Sequence, residues 1–359
     1  MNGKTMLMEF RKSWKGFTIF LIIVVLIAGG MAQLFPTVSE AFEEDADEFE
    51  GQEFVEVQVY EDTIHLYWDE IEGAEEYIII EDRNHYMVTS WEVNRTSINY
   101  TYIPHLEDKV RYFAVIGVMN DSSKIPRGMA STEEPRDPIQ ELMDTPFYRM
   151  FTAGRADITF DDIEGFLSLE LYSWWILLVG VYLGYISIKS ITEDYEEGRM
   201  DIIFSTPLSR RQYLLEKFFA LSLFNLAMLF LSGLSLMFVV RSLSESNGTF
   251  LLISLVMSWP LFLVIIALSI FFSVLFKSSR MAVGATFGII LIQYALFMAG
   301  HMVESLESIL PFTISYYWDY NSIILDNVIS ISNFLILMVL AILIFFSSIL
   351  IFEKSDIPV

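Results

Sequence analysis

Residues Glu193–Lys217 read EDYEEGRMDIIFSTPLSRRQYLLEK, a charged island between two uncharged runs, Leu171–Ile188 and Phe218–Val240. Each run is long enough to cross a hydrocarbon core, which takes about 20 helical residues. Working outward, four more such runs appear: Phe17–Phe35, Phe250–Phe276, Met281–Gly300 and Asn327–Phe352. Backbone groups in lipid must be satisfied within each segment, so these runs specify helices. The expected fold is an α-helical polytopic membrane protein with six transmembrane helices.

Charge is distributed unevenly. Of 22 basic and 46 acidic residues, 9 and 31 fall between Pro36 and Gly165, leaving 13 and 15 elsewhere. The acidity belongs to one hydrophilic insert and argues against a nucleic-acid partner there. The membrane part places Lys4, Arg11, Lys12, Lys15, Lys189, Arg199, Arg210, Arg211, Lys217, Lys277, Arg280 and Lys354 on one side. The opposite short connections carry only Arg241. By the positive-inside rule both termini are expected in the cytoplasm and residues 36–166 outside.

In chain order, residues 1–16 carry Leu7, Phe10, Trp14 and Phe17 at helical spacing among four basic residues. They suit either an amphipathic helix on the membrane surface or a positive flank for the first span. Residues 17–35 form the first span and 36–52 an acidic linker. Period-two patterning follows in Phe54–Val59, Ile64–Trp68 and Tyr77–Ile80, and a later run alternates Tyr112, Ala114, Ile116 and Val118. Short strands about ten residues apart predict an inserted all-β immunoglobulin-like sandwich over residues 53–130. The run HLYWDEIEGAEEYIII resembles the second and third strands of a fibronectin type III domain, with Trp68 in its core and Tyr77 inward. Leu106 and Tyr112 resemble that family's corner before the sixth strand.

A linker over 131–166 leads to the second span at 167–190. The loop at 191–217 and spans at 218–240, 250–276 and 281–300 follow. An aromatic segment at 301–327, suited to a membrane-interface belt or to a short re-entrant helix at a translocation exit, precedes the last span at 328–352. Pro260 should kink the fourth span. Asn225 and Gln293 suit interhelical hydrogen bonding or substrate contact.

No cysteine is present, and no H-E-x-x-H, G-x-S-x-G or Walker A pattern occurs. No catalytic, cofactor or metal site is legible, so energy for work against a gradient must come from another subunit.

The order of features in the island resembles the cytoplasmic segment of ABC-2-type ATP-binding-cassette transporter permeases. Acids precede a glycine, then come an apolar pair, a Thr-Pro turn, Ser-Arg, and a lysine entering the next span. Here these are Glu193, Glu196, Glu197, Gly198, Thr206, Pro207, Ser209-Arg210 and Lys217; Arg199 and Glu216 depart from the pattern. The resemblance implies an exporter subunit that binds no cofactor itself and couples to an ATP-hydrolysing partner through this loop. Glu193, Glu196, Glu197, Gly198, Arg199, Thr206, Pro207, Arg210 and Arg211 are the expected coupling residues. It also implies a second permease copy, identical or related, and a lipid environment. The alternative is a cell-surface receptor or adhesion protein acting through its sandwich; a one-span anchor would serve that role without the charged loop.

Overall fold

The computed structural model describes residues 4–50, 55–60, 63–71, 73–82, 91–104, 111–120, 123–132, 145–155, 158, 162–243 and 248–355. The chain divides into two compact units, one of residues 1–39 with 144–359 and one of residues 40–143.

In the first unit, among the described residues, six helical stretches are long and apolar enough to cross a membrane: Trp14–Ser39, Ile163–Glu196, Arg210–Leu243, Thr249–Phe276, Ser279–Met302 and Ile331–Lys354. We call them spans 1 to 6. Span 1 lies within α1 (Lys4–Glu50), which stays helical through Pro36 and through residues 37–50, where a linker was expected. The sequence SEAFEEDADEFE explains the difference, because Ala and Glu are strong helix formers despite their polarity here. Helix α2 (Pro146–Phe151) begins on the Thr145 cap and packs on span 5.

Span 2 comprises α3 (Ile163–Leu167), a π-helical turn (Ser168–Tyr172) and α4 (Ser173–Glu196). After α5 (Met200–Phe204), span 3 is α6 (Arg210–Leu243). Span 4 is broken into α7 (Thr249–Met257) and α8 (Trp259–Phe276), with Pro260 opening the second piece. The kink expected from Pro260 is present. Proline lacks the N–H that would continue the ladder, and donors from other elements reach carbonyls around the break. Tyr172 Oη donates to Leu251 O at 2.6 Å. Trp318 Nε1 donates to Ser254 O at 3.0 Å and Asn225 Nδ2 to Trp259 O at 3.2 Å. Asn225 therefore ties span 3 to span 4.

Helix α8 is the packing centre of this unit, touching α4, α6, α9 (Ser279–Met302) and α11 (Ile331–Lys354). Its stretch Leu261–Ala267 is buried throughout. Span 1 packs through Phe17 on Phe224, ring centroids 4.2 Å apart. At Gly29 a Cβ would stand 2.7 Å from Ser235 Oγ. A side chain there would displace the Ser235 hydroxyl, so glycine eases the close approach of these two helices. Leu26, Ile292 and Ile342 are exposed on the outer faces, as lipid contact requires.

Between spans 5 and 6 run two 3-10 turns (Glu304–Phe312, Ser315–Tyr317) and α10 (Tyr320–Ile324). The expectation of an interfacial aromatic belt needs correction here. Trp318 and Tyr320 are buried in the helical core beside Tyr172, Tyr320 stacked on it and Trp318 tilted to it. Trp318 is drawn inward because its indole N–H finds the Ser254 carbonyl. Tyr316 stays exposed. Gln293 accepts from Ile314 N at 3.0 Å, fixing the segment to span 5.

Among its described residues the second unit has seven strands: β1 (Val55–Val59), β2 (Thr63–Trp68), β3 (Ala74–Asp82), β4 (Trp91–Thr96), β5 (Tyr100–Pro104), β6 (Tyr112–Met119) and β7 (Lys124–Ser131). They form two antiparallel sheets, β1-β2-β5 and β4-β3-β6-β7. One core joins both: Ile64, Leu66, Trp68 and Ile103 meet Tyr77, Ile79, Phe113 and Val115. Trp68 stands edge-on to Tyr77 at 5.4 Å, and Tyr77 Oη accepts from Ile71 N. On β6 the core-facing phase is Phe113 and Val115, while Tyr112 is only half-buried. Arg111 shares that inward phase and bonds back to Pro104 O at 2.8 Å. Leu106 lies outside the described residues. Pro126 is accommodated on edge strand β7 beside a register shift opposite Val115/Ile116.

Candidate functional site

The site is the Glu193–Lys217 connection, and each of its turns has a local cause. Helix α4 stops because Gly198 takes φ +67°, a left-handed position that favours glycine. Arg199 N then donates to Asp194 O and Gly198 N to Tyr195 O, closing the orphan carbonyls. Thr206 Oγ1 donates to Ile203 O at 2.6 Å and ends α5. Pro207 follows, where the helix cannot continue. Ser209 Oγ accepts from Gln212 N at 3.1 Å and starts α6.

Within this frame Asp194 is the hub. Its side chain is 3% exposed. Tyr213 Oη donates to Oδ2 at 2.7 Å, and Lys217 Nζ lies 3.3 Å from the same oxygen. Arg199 reaches Oδ1 with Nη2 at 2.9 Å and Nε at 3.0 Å. Lys217 also donates to Ser190 O at 2.8 Å. Burial works against the charge of Arg199, but the facing Asp194 and Glu197 carboxylates outweigh it and raise its pKa. Glu193 bonds Lys189 at 3.1 Å and lies 3.7 Å from Arg199. Glu197 pairs with Arg199. Glu216 is fully buried and accepts from Gln212 Nε2 at 3.1 Å.

Two further ties reach distant spans. Glu196 Oε1 accepts from Ser279 N at 2.7 Å, capping span 5. Arg210 Nη1 donates to Ser355 O at 2.6 Å, Phe352 O at 3.2 Å and Glu353 O at 3.3 Å, at the end of span 6. Phe204, Tyr213 and Phe352 form a ring cluster alongside, with centroids 5.7–6.0 Å apart. The connection therefore holds the ends of spans 2, 3, 5 and 6 together.

The expected site residues separate into three groups. Glu193, Glu197 and Arg199 join the Asp194 network around the Gly198 turn. Glu196 and Arg210 bond to other spans, Glu196 from an exposed position and half-buried Arg210 at the end of span 6. Thr206, Pro207 and Arg211 are exposed. Sequence reasoning passed over Asp194 and Tyr213 as site residues and treated Lys217 only as a pattern match. The available signal was spacing: Ser190 and Asp194, like Tyr213 and Lys217, stand four apart on one helix face. It also passed over Ile202, which is 71% exposed. Among the described residues no group of three or more His, Asp or Glu is placed to hold a metal ion.

The family model described as ABC-2 family transporter protein matches residues 7–357. No curated protein matches the chain significantly. Among solved structures, the chain is similar to a beta-1,2-glucanase from Parabacteroides distasonis at 13% identity with a TM-score of 0.20. That match covers 63% of this chain and 35% of the glucanase chain, and carries no argument about fold or activity. The family match spans all six apolar helices and the charged connection. The chain belongs to the ABC-2 family of transporter proteins and is a multi-pass membrane subunit of an ATP-binding-cassette transporter.

Proposed function

We propose that the protein is the permease of an exporter driven by a separate ATP-binding-cassette ATPase, which docks on the exposed face of the Glu193–Lys217 connection. The observation that carries this reading is the pairing of an exposed Ile202, Pro207 and Arg211 with a buried network tied to four spans. A push on such a surface moves several helix ends as one body, which is what coupling to ATPase closure requires. Ile202 supplies an apolar anchor and Arg211 a charge at its edge. Arg210 acts from inside, holding span 6 in register with that surface.

The positive-inside distribution supports cytoplasmic termini and an extracytoplasmic insert. The insert is read as a fibronectin type III-like module, supported by its two-sheet strand order and the Trp68–Tyr77 core pair. A second permease copy completes the translocation path.

Co-expression with the ATPase subunit tests the docking. Ile202→Glu combined with Arg211→Glu should abolish co-purification of the ATPase while the variant still inserts and keeps its thermal transition. Undiminished co-purification would overturn the assignment.

A further inference from the structure

The outward face of the β1-β2-β5 sheet carries an aromatic floor with a polar edge. We propose that it binds an uncharged oligosaccharide chain. The inference concerns the second unit alone and does not depend on the ATPase.

Strand register builds the floor. Gln58 on β1 stands opposite His65 on β2, which stands opposite Tyr102 on β5; two residues along, Glu56, Tyr67 and Tyr100 repeat the order. Side chains alternate between the faces of a strand. Ile64, Leu66, Thr101 and Ile103 take the buried phase, so these two cross-strand rows point outward. The His65 ring lies 4.3 Å from Tyr102 and 4.4 Å from Tyr60, just past β1. Tyr100 lies 5.6 Å from Tyr102 and 6.3 Å from Tyr67. Ring pairs across strands stabilise a sheet, yet the packing leaves Tyr60 50% and Tyr102 53% exposed. An exposed contiguous patch rimmed by polar groups marks a binding surface. The outward side of the other sheet is the ordinary solvated case, where Arg95 pairs with Glu76 at 3.0 Å and Glu92 at 3.1 Å.

The polar edge is held in place by its own bonds. Gln58 Nε2 donates to Glu56 Oε1 at 2.8 Å, and Tyr60 Oη donates to Gln58 Oε1 at 3.0 Å. Among the described residues these bonds use one amide N–H of Gln58 and one oxygen of Glu56, so the other of each remains for a ligand. A sugar ring suits such a surface, because its C–H face stacks on an aromatic ring while its hydroxyls reach the polar side chains beside it. Tyrosine supplies that contact area rigidly and at low entropic cost. Charge selects among the occupants. Strands β1, β2 and β5 contain no lysine or arginine, and residues Pro36 to Gly165 hold 31 acidic against 9 basic residues. Chains bearing uronate or phosphate are therefore repelled. An ammonium ligand would find a single carboxylate on these rows, already bonded to Gln58. A proline-rich peptide docks in a groove between rings, whereas this is an open sheet face. An uncharged glycan meets none of these objections.

The full-length protein in lipid nanodiscs is titrated calorimetrically with cellohexaose and, separately, with the N-acetylglucosamine hexamer. Saturable binding of at least one is expected. Tyr102→Thr, which keeps a strand-forming residue at an exposed position, should weaken it about fivefold or more. Tyr60→Ser, outside the ladder, should weaken it about threefold. Arg95→Gln, on the other sheet, should leave it unchanged. Absence of saturable binding of both sugars to the unmodified protein overturns the proposal. So does a galacturonate hexamer or a proline decamer binding as tightly. Unchanged affinity in the Tyr60→Ser, Tyr102→Thr double variant, with its thermal transition intact, overturns it as well.

Discussion

Lys217 Nζ lies 3.3 Å from Asp194 Oδ2, with both side chains only 3% exposed. This pair joins the last turn of span 2 to the second turn of span 3, so the connection is braced from inside. Removing one member of a buried pair leaves the other charge uncompensated, which is worse than never having had either. Asp194→Asn should therefore destabilise the helical unit by about 3–5 kcal/mol. Thermal unfolding in nanodiscs would read the loss directly. Glu197→Gln, at an exposed carboxylate, should leave the same transition almost unmoved.

Arg210 should behave differently from its neighbour. Because its guanidinium donates to three carbonyls at the end of span 6, Arg210→Ala should free that terminus. Hydrogen exchange of residues 350–355 should accelerate at least about tenfold, the loss of one to two kcal/mol of local protection. Arg211→Ala should leave that exchange unchanged.

Glu196 caps span 5 from another helix. A carboxylate at a helix N-terminus satisfies an orphan N–H and meets the positive end of the dipole. Glu196→Ala should cost about 0.5–1 kcal/mol, and Glu196→Gln less, since the amide oxygen still accepts. Differential scanning of the two variants would separate the hydrogen bond from the charge.

The sandwich holds a pair of its own. Arg111 bonds Glu81 with both Nε and Nη2 at 2.6 Å, and Glu81 is 4% exposed. Arg111→Met should destabilise the β unit by about 3–5 kcal/mol, while the double change with Glu81→Met should recover most of it. Limited proteolysis between residues 55 and 131 of the full chain gives the readout.

Much was legible before any coordinate. Uncharged runs of bilayer length specify spanning helices because unpaired backbone groups are intolerable in lipid, and six runs became six spans. Pro260 announced its kink for an equally local reason, the missing N–H. Gly198, Pro207 and Ser209 marked a helix end, a turn and a helix start from their own chemistry. Partnership was another matter. Asp194 reads in sequence as one acid among four, yet it is the member turned into the space between α4 and α6. Arg210 and Arg211 read as one basic pair, but neighbours in a helix point about 100° apart, so one grips span 6 and the other meets solvent. The aromatic run at 316–320 reads as an interfacial belt, whereas the broken span 4 supplies the carbonyl that draws Trp318 inside.

The connection at Glu193–Lys217 shows where the division falls. The sequence by itself determined that a charged turn stands between two spans, because burial in lipid and backbone geometry are local constraints. Only the tertiary structure decided which of its charges brace the helices and which remain on the surface, because that depends on what lies opposite each side chain across the bundle.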